Sequence, residues 1–153
     1  MLTSGAREKV EKLIACHPQK EAALLRVLHI VQQDQGYLSP ETIASVADLM
    51  GMPAIKLYEV ATFYTLYNKK PVGKYLIQVC ANLSCSLMGA DNLIRYLKDR
   101  LGVQVGETTP DNKFTLVTVQ CLGSCGTAPM MQINDQYYEK LDEARIEQIL
   151  ASL

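Results

Sequence analysis

Two pairs of closely spaced cysteines constrain this chain more than any other feature of its sequence. Four residues separate Cys80 from Cys85, and three separate Cys121 from Cys125. Each pair begins where a predicted β-strand ends and occupies the loop that follows. If the two strands are parallel neighbours, both loops lie at the same edge of one sheet. The sequence therefore predicts four thiols that converge at one sheet edge.

Four converging thiolates are the usual ligands of a [2Fe–2S] cluster, in which each iron binds two cysteines and two bridging sulfides. Gly123 and Gly126 leave room for the backbone to approach such a cluster closely. We expect serine hydroxyls in the two loops to add hydrogen bonds, and leucines there to limit the access of water. These residues are Ser84, Ser86, Ser124, Leu83, Leu87 and Leu122.

A zinc site and structural disulfides are the two other roles for the cysteines that remain open on sequence grounds. A structural zinc site usually shows C-x2-C spacing, often with histidine, whereas here the spacings are four and three and His17 and His29 lie far away in the chain. Structural disulfides are disfavoured in a thiol-reducing compartment. A thioredoxin-type dithiol needs the spacing C-x-x-C, which is absent. The cysteine spacing also differs from the C-x4-C-x2-C spacing of plant-type ferredoxins.

Composition excludes some classes of function. The 153 residues carry a formal net charge of −1, so we expect no nucleic-acid partner. No apolar run approaches the roughly 18 residues of a membrane span, which predicts no direct membrane insertion. The N-terminal residues lack the apolar core of a secretory signal. We therefore expect a cytoplasmic protein.

The first part of the chain, residues 1–72, is predicted to be a helical bundle. Four helices are predicted, with Ser39 as an N-cap, Pro40 at the first helical position and Gly36 as a helix end. The predicted helices are Arg7–Ala15, Lys20–Asp34, Pro40 to about Gly51, and Pro53 to about Tyr67.

The second part, residues 73–153, is predicted to be a mixed sheet with packed helices. Asn134 and Asp135 form a two-residue hairpin signal. The predicted elements are strands Tyr75–Cys80, Phe114–Gln120, Met130–Ile133 and Gln136–Tyr138, and helices Leu87–Arg100 and Asp142–Ser152. Together the two parts predict an α+β chain.

Several other residues are candidates for a functional role. Cys16 has no partner in sequence, so we expect a half-buried packing cysteine. His29, on a leucine-rich helix, is predicted to be an ordinary histidine rather than a ligand. Phe63, Tyr64 and Tyr67 fit either a partner-docking face or helix packing.

The chain resembles the 24-kDa-type (E-type) subunit of NADH:quinone oxidoreductase, respiratory complex I, whose members are thioredoxin-like [2Fe–2S] ferredoxins. The resemblance begins near Lys20 and rests on both cysteine pairs and on several motifs. The motifs are GYLSPE at Gly36–Glu41, EVATFYTLY at Glu59–Tyr67, PVGKY at Pro71–Tyr75, QCLGSCGTAPMMQIND at Gln120–Asp135, and the YYEKL that follows.

This resemblance implies a helical N-terminal bundle and a thioredoxin-like domain with one [2Fe–2S] cluster on Cys80, Cys85, Cys121 and Cys125. It implies a larger partner subunit that binds FMN, NADH and further iron–sulfur clusters, within a peripheral arm attached to the inner membrane through the complex. The chain has no G-x-G-x-x-G or P-loop motif, so a relay role without a complete active site is expected. The fold analogy raises the expectation of a cis Ala128–Pro129 peptide above the base rate of X–Pro bonds, and the sequence leaves the isomer open.

Alternative functions remain at this point. The same module serves in NAD-linked hydrogenases and formate dehydrogenases, and a mainly structural assembly subunit, whose cluster only stabilises the fold, is another alternative. A third hypothesis treats the helices Pro40–Met50 and Pro53–Tyr67 as a DNA-binding helix-turn-helix in a redox sensor. Basic residues are few there, which disfavours contacts to phosphate.

Overall fold

The computed structural model describes residues 2–153. The chain divides into two compact units, Met1–Pro71 and Val72–Leu153. The first unit is helical and the second combines a four-stranded mixed sheet with three helices. The α+β prediction is confirmed. Within residues 2–153, none of the helices has both the length and the apolar character needed to cross a membrane.

Helices α1–α4 form the first unit. Their bounds are α1 Ser4–Ala15, α2 Leu24–Gln35, α3 Pro40–Met50 and α4 Ala54–Phe63, with a 3-10 turn at Lys20–Ala23 before α2. Helix α3 begins as predicted, because the Ser39 side chain accepts from the Thr42 N–H and Pro40 occupies the first turn. It ends at Gly51, whose left-handed φ of 65° suits glycine.

Helix α4 ends at Phe63, four residues before the predicted end at Tyr67. Tertiary hydrogen bonds explain the difference. Gln32 of α2 donates to the Leu66 carbonyl oxygen (2.9 Å) and accepts from the Asn68 N–H (2.6 Å). The Tyr67 hydroxyl donates to the Leu25 carbonyl oxygen at 2.7 Å. These contacts hold the segment after α4 against α2 and override its helical propensity.

The core of the first unit lies between apolar helix faces. In α2, Leu24, Leu28 and Val31 are buried, whereas Leu25 is 41% exposed. The other main core residues are Val10, Val27, Leu38, Ile43, Val46, Met50 and Leu57.

The second unit is built on strands β1 Tyr75–Cys80, β2 Phe114–Val119, β3 Met131–Ile133 and β4 Gln136–Tyr138. Their order is β2-β1-β3-β4, with β1 parallel to β2 and antiparallel to β3, and β3 antiparallel to β4. The sheet is therefore mixed, as predicted. The β3–β4 turn is the predicted Asn134-Asp135 pair, with Asn134 at a φ of 52°.

Three helices complete the second unit: α5 Leu83–Leu87, α6 Ala90–Leu101 and α7 Glu143–Ser152. The predicted single helix Leu87–Arg100 is wrong at its start. Asn82 caps α5 by accepting from the Leu83 N–H, and Gly89, at a φ of 97°, separates α5 from α6. The core contains Ile77, Val79, Leu97, Leu116, Met131 and Ile146.

Two neighbouring leucines on α2 test the core of the first unit. We expect Leu28→Ala to lower the free energy of unfolding by about 2–5 kcal/mol, because Leu28 is fully buried and its loss leaves a cavity. Leu25→Ala is the matched control, with an expected change within about 0.5 kcal/mol. Urea denaturation followed by far-UV circular dichroism measures both changes. Equal losses in the two variants would contradict this account of the core.

Candidate metal centre

Parallel pairing of β1 with β2 brings the two cysteine pairs to one sheet edge. Cys80, the last residue of β1, is in register with Val119, the last residue of β2. The Ala81 N–H continues the ladder to the Val119 carbonyl oxygen at 2.9 Å. Cys121 therefore leaves the sheet beside Cys80, as the sequence predicts.

A short helix positions Cys85, for which the sequence predicts a loop. Cys85 lies in α5, between the Asn82 cap and the turn at Met88. Cys80 and Cys85 are both buried and pack against Ala90 and Met130. The helix therefore turns the second cysteine of the pair inward, into the same small core as the first.

The second cysteine pair lies in a tight turn at the surface. Gly123, at a φ of 79°, donates its N–H to the Cys121 sulfur at 3.3 Å. Cys125 begins a 3-10 turn that ends at Thr127. Cys121 and Cys125 are both exposed. The glycine at 123 thus permits a backbone conformation in which an N–H points at sulfur.

Backbone hydrogen bonds favour the thiolate form of Cys80. Burial raises the pKa of Cys80, but N–H donors from Asn82 and Leu122 and contacts with the Cys85 and Cys121 thiols outweigh it and hold that pKa below its usual value. The Cys80 sulfur also lies 3.9 Å from the Gln120 carbonyl oxygen.

Cys85 has the opposite tendency. Burial, and next the hydrogen bond that it shares with Cys80, raise the pKa of Cys85 to about 11. Binding of a metal ion would therefore displace a proton from Cys85, because a metal takes the thiolate. The inner pair thus consists of one sulfur that favours the anion and one that holds its proton.

The four thiols form one connected group. Cys80 interacts with Cys85 and Cys121, and Cys85 lies within electrostatic range of Cys125. Within residues 2–153, no three His, Cys, Asp or Glu side chains are grouped so that they could hold a metal ion. A [2Fe–2S] cluster has a different requirement, because its four cysteines are divided between two irons. Four cysteines are the ligand type of such a cluster, so the residues present fit it in kind.

The expected hydrogen bonds from two serines go elsewhere. Ser86 donates to the Asp91 carboxylate at 2.7 Å. Ser124 donates to the Glu139 carboxylate, and Thr127 donates to the same oxygen at 2.6 Å. These two bonds hold the pKa of Glu139 below its usual value. The nearest hydrogen-bond donors to sulfur are backbone N–H groups instead.

The leucine shield is also incomplete. Leu83 is 69% and Leu87 78% exposed, so neither side chain covers the thiols in this chain alone. Leu122, by contrast, packs partly against the buried cysteines.

The remaining candidates lie away from the cysteine group. Cys16 is exposed, which corrects the half-buried placement, because it follows the last residue of α1. His29 is exposed and shares a hydrogen bond with Gln33 at 3.0 Å. Tyr67 belongs to the core of the first unit, whereas Phe63 is 78% exposed.

Sequence reasoning missed two residues beside the second cysteine pair. Glu139 contacts the turn through Ser124 and Thr127, and the Tyr137 hydroxyl donates to the Leu122 carbonyl oxygen at 2.9 Å. No local pattern marks them, because their partners lie 12 to 15 residues away in the chain. The Ala128–Pro129 peptide, whose isomer the sequence leaves open, is cis.

Comparison with known proteins identifies the type of domain. The sequence profile described as thioredoxin-like [2Fe–2S] ferredoxin matches residues 10–153. The chain is 42% identical to an NADH-quinone oxidoreductase subunit of Rhizobium meliloti, over 95% of this chain and 87% of the relative. It is 45% identical to NADH-quinone oxidoreductase subunit 2 of Thermus thermophilus, over 94% of this chain and 81% of the relative.

A solved structure shows the same fold in another protein. The chain is similar to a crystal structure of NAD+-reducing [NiFe]-hydrogenase in the air-oxidized state, with a TM-score of 0.72 and 25% identity. The similar region covers 84% of this chain but spans only 22% of the hydrogenase chain. Sequence and fold comparisons thus agree on the type of domain.

Replacing one cysteine of the group tests the donor set. We expect Cys121→Ser to hold much less iron and acid-labile sulfide than the unaltered chain, because serine replaces a thiolate ligand. Cys16→Ser is the matched control and should retain both. Iron and sulfide are assayed after anaerobic reconstitution of the full chain. If Cys121→Ser binds as much of both as Cys16→Ser, the predicted donor set is wrong.

Proposed function

The chain belongs to the thioredoxin-like [2Fe–2S] ferredoxin family, and we propose that it is an electron-transfer subunit of an NADH:quinone oxidoreductase. In this proposal one [2Fe–2S] cluster is bound by Cys80, Cys85, Cys121 and Cys125. The convergence of both cysteine pairs at the edge of two parallel strands is the observation that carries the proposal. A bound cluster would supply one-electron redox chemistry.

The residues around the four cysteines suit this role. Cys80 and Cys85 are buried beside Met130, which keeps water from the inner half of the site. Cys121 and Cys125 are exposed, so the outer half is open to an electron donor on another protein. Backbone N–H groups near sulfur stabilise added negative charge.

We propose that FMN and NADH bind to a larger partner subunit that also carries iron–sulfur clusters. The 153 residues contain neither a G-x-G-x-x-G nor a P-loop motif. Hydride chemistry at a flavin would therefore take place on the partner, and this chain would have no complete active site of its own. The names of the relatives from Rhizobium meliloti and Thermus thermophilus support an NADH-linked host.

The proposal also includes a location. Together with other subunits, the chain would form a peripheral arm on the cytoplasmic side of the inner membrane, held there through the complex. Its surface supports assembly with a partner, since Leu83, Leu87 and Met88 beside the cysteines are more than 60% exposed. Apolar side chains grouped at a surface are typical of contacts with another protein.

A second candidate is the equivalent diaphorase subunit of an NAD-linked hydrogenase or formate dehydrogenase. The fold similarity to NAD+-reducing [NiFe]-hydrogenase favours it. The higher identity, 42–45%, to NADH-quinone oxidoreductase subunits favours the first candidate. Purification from native membranes and from soluble extract, with identification of the flavin-bearing partner, separates the two.

A redox titration tests the cluster. A cluster with four cysteine ligands and no histidine ligand is expected to be a single one-electron centre with a midpoint potential of about −400 mV, because histidine ligands would raise the potential. The measurement is an anaerobic titration monitored by EPR on the reconstituted chain. A silent spectrum after dithionite fits a still lower potential, whereas absence of both iron and sulfide refutes the cluster.

The assembled complex tests whether the cluster takes part in turnover. With Cys121→Ser in place, we expect NADH-dependent turnover to fall, because the complex loses a site that can hold one electron of the donor. Cys16→Ser in the same complex is the control and should leave turnover unchanged. Normal turnover in a complex that lacks only this cluster would favour a structural role, in which the metal chiefly stabilises the fold.

A further inference from the structure

The end of β4 and the residues that follow it run alongside the turn that carries Cys121 and Cys125. Four sets of contacts connect the two. Two sets are made by side chains: the Tyr137 hydroxyl donates to the Leu122 carbonyl oxygen (2.9 Å), and the Glu139 carboxylate accepts from Ser124 and Thr127. Two are made by the backbone: the Lys140 N–H donates to the Thr127 carbonyl oxygen (2.8 Å), and the Leu141 N–H donates to the Pro129 carbonyl oxygen (3.0 Å). We call residues 137–141 the strap.

Glu139 bonds to this turn through its charged side chain, and the cations Lys140 and Arg145 lie within electrostatic range of it. One carboxylate oxygen accepts hydrogen bonds from both the Ser124 and Thr127 hydroxyls. These two hydroxyl oxygens are also 2.7 Å from each other. The three side chains thus form a closed triangle across the residues that flank Cys125, which restricts the turn from both sides.

We propose that Glu139 is a positioning residue for the cluster: its carboxylate fixes the Cys121–Cys125 turn through Ser124 and Thr127, and its negative charge lowers the cluster's midpoint potential. This inference rests on the proposed function, since it assumes a [2Fe–2S] cluster on the four cysteines. It adds a second determinant of the potential to the ligand set itself.

The sign of the effect follows from charge. Reduction adds one negative charge to the site, and a fixed carboxylate beside it makes that addition less favourable. A glutamate is ionised at neutral pH, and Glu139 is half-buried, so solvent screens its charge less than that of an exposed residue. Glu139 also draws the Ser124 and Thr127 hydroxyl protons toward itself, and those protons would otherwise be available to stabilise a reduced cluster.

A purely structural role predicts a different result. If Glu139 only holds the turn, then Glu139→Gln should leave the potential unchanged, because the amide oxygen can still accept from both hydroxyls. Asp99 provides a matched control for loss of charge. It is exposed on α6, nine residues beyond Ala90 of the cysteine core, which is about 13 Å farther along the helix axis.

The experiment compares the reconstituted full chain with Glu139→Gln and Asp99→Asn. Midpoint potentials are measured by anaerobic EPR-monitored titration. We expect a positive shift for Glu139→Gln, with iron and sulfide content at the level of the unaltered chain, and no shift for Asp99→Asn. Equal potentials in Glu139→Gln and the unaltered chain overturn the charge effect, as does an equal shift in Asp99→Asn.

A second variant tests the hold on the turn without altering charge. Thr127→Val keeps the Glu139 carboxylate but removes one of its two hydroxyl donors. We expect iron to pass to an added chelator faster than from the unaltered chain; an unchanged rate overturns the positioning role. An unaltered chain that binds no iron or sulfide refutes the cluster itself, and so is distinct from a failure of the Glu139 inference alone.

Discussion

The parallel pairing of β1 with β2 is the constraint on which the site depends. The register that places Cys80 opposite Val119 fixes where both strands end, and Cys121 follows two residues later. A parallel pair needs a long crossover, and α5 and α6 supply it while bringing Cys85 inward. A single backbone relation thus determines the positions of cysteines that are far apart in sequence.

The two cysteine pairs at that sheet edge lie in different environments. The inner side is a small apolar core with Ala90 and Met130, where burial acts on the thiols and backbone N–H groups counter it at Cys80. The outer side is an exposed turn, held by the strap and by Gly123. The inner side is fixed by packing and the outer side by hydrogen bonds.

Much of this arrangement could be predicted from sequence because it depends on local signals. The Ser39 cap and the hairpin at Asn134 follow from capping and turn chemistry. The errors arise where contacts between residues far apart in the sequence determine the local structure. Helix α4 stops early because Gln32 captures the residues that follow it. Ser124 turns away from sulfur because Glu139, 15 residues later, accepts its proton. Only the folded chain brings these partners together.

The unequal exposure of the cysteines has a consequence for the chain before it acquires iron. Oxidants reach thiols according to their exposure and thiolate character. Cys121 and Cys125 face solvent, whereas Cys85 is buried and holds its proton strongly. Oxygen or peroxide would therefore reach the exposed thiols Cys16, Cys121 and Cys125 before the buried Cys85. Of the four grouped cysteines, the outer pair is thus the one that an oxidant in solution meets first.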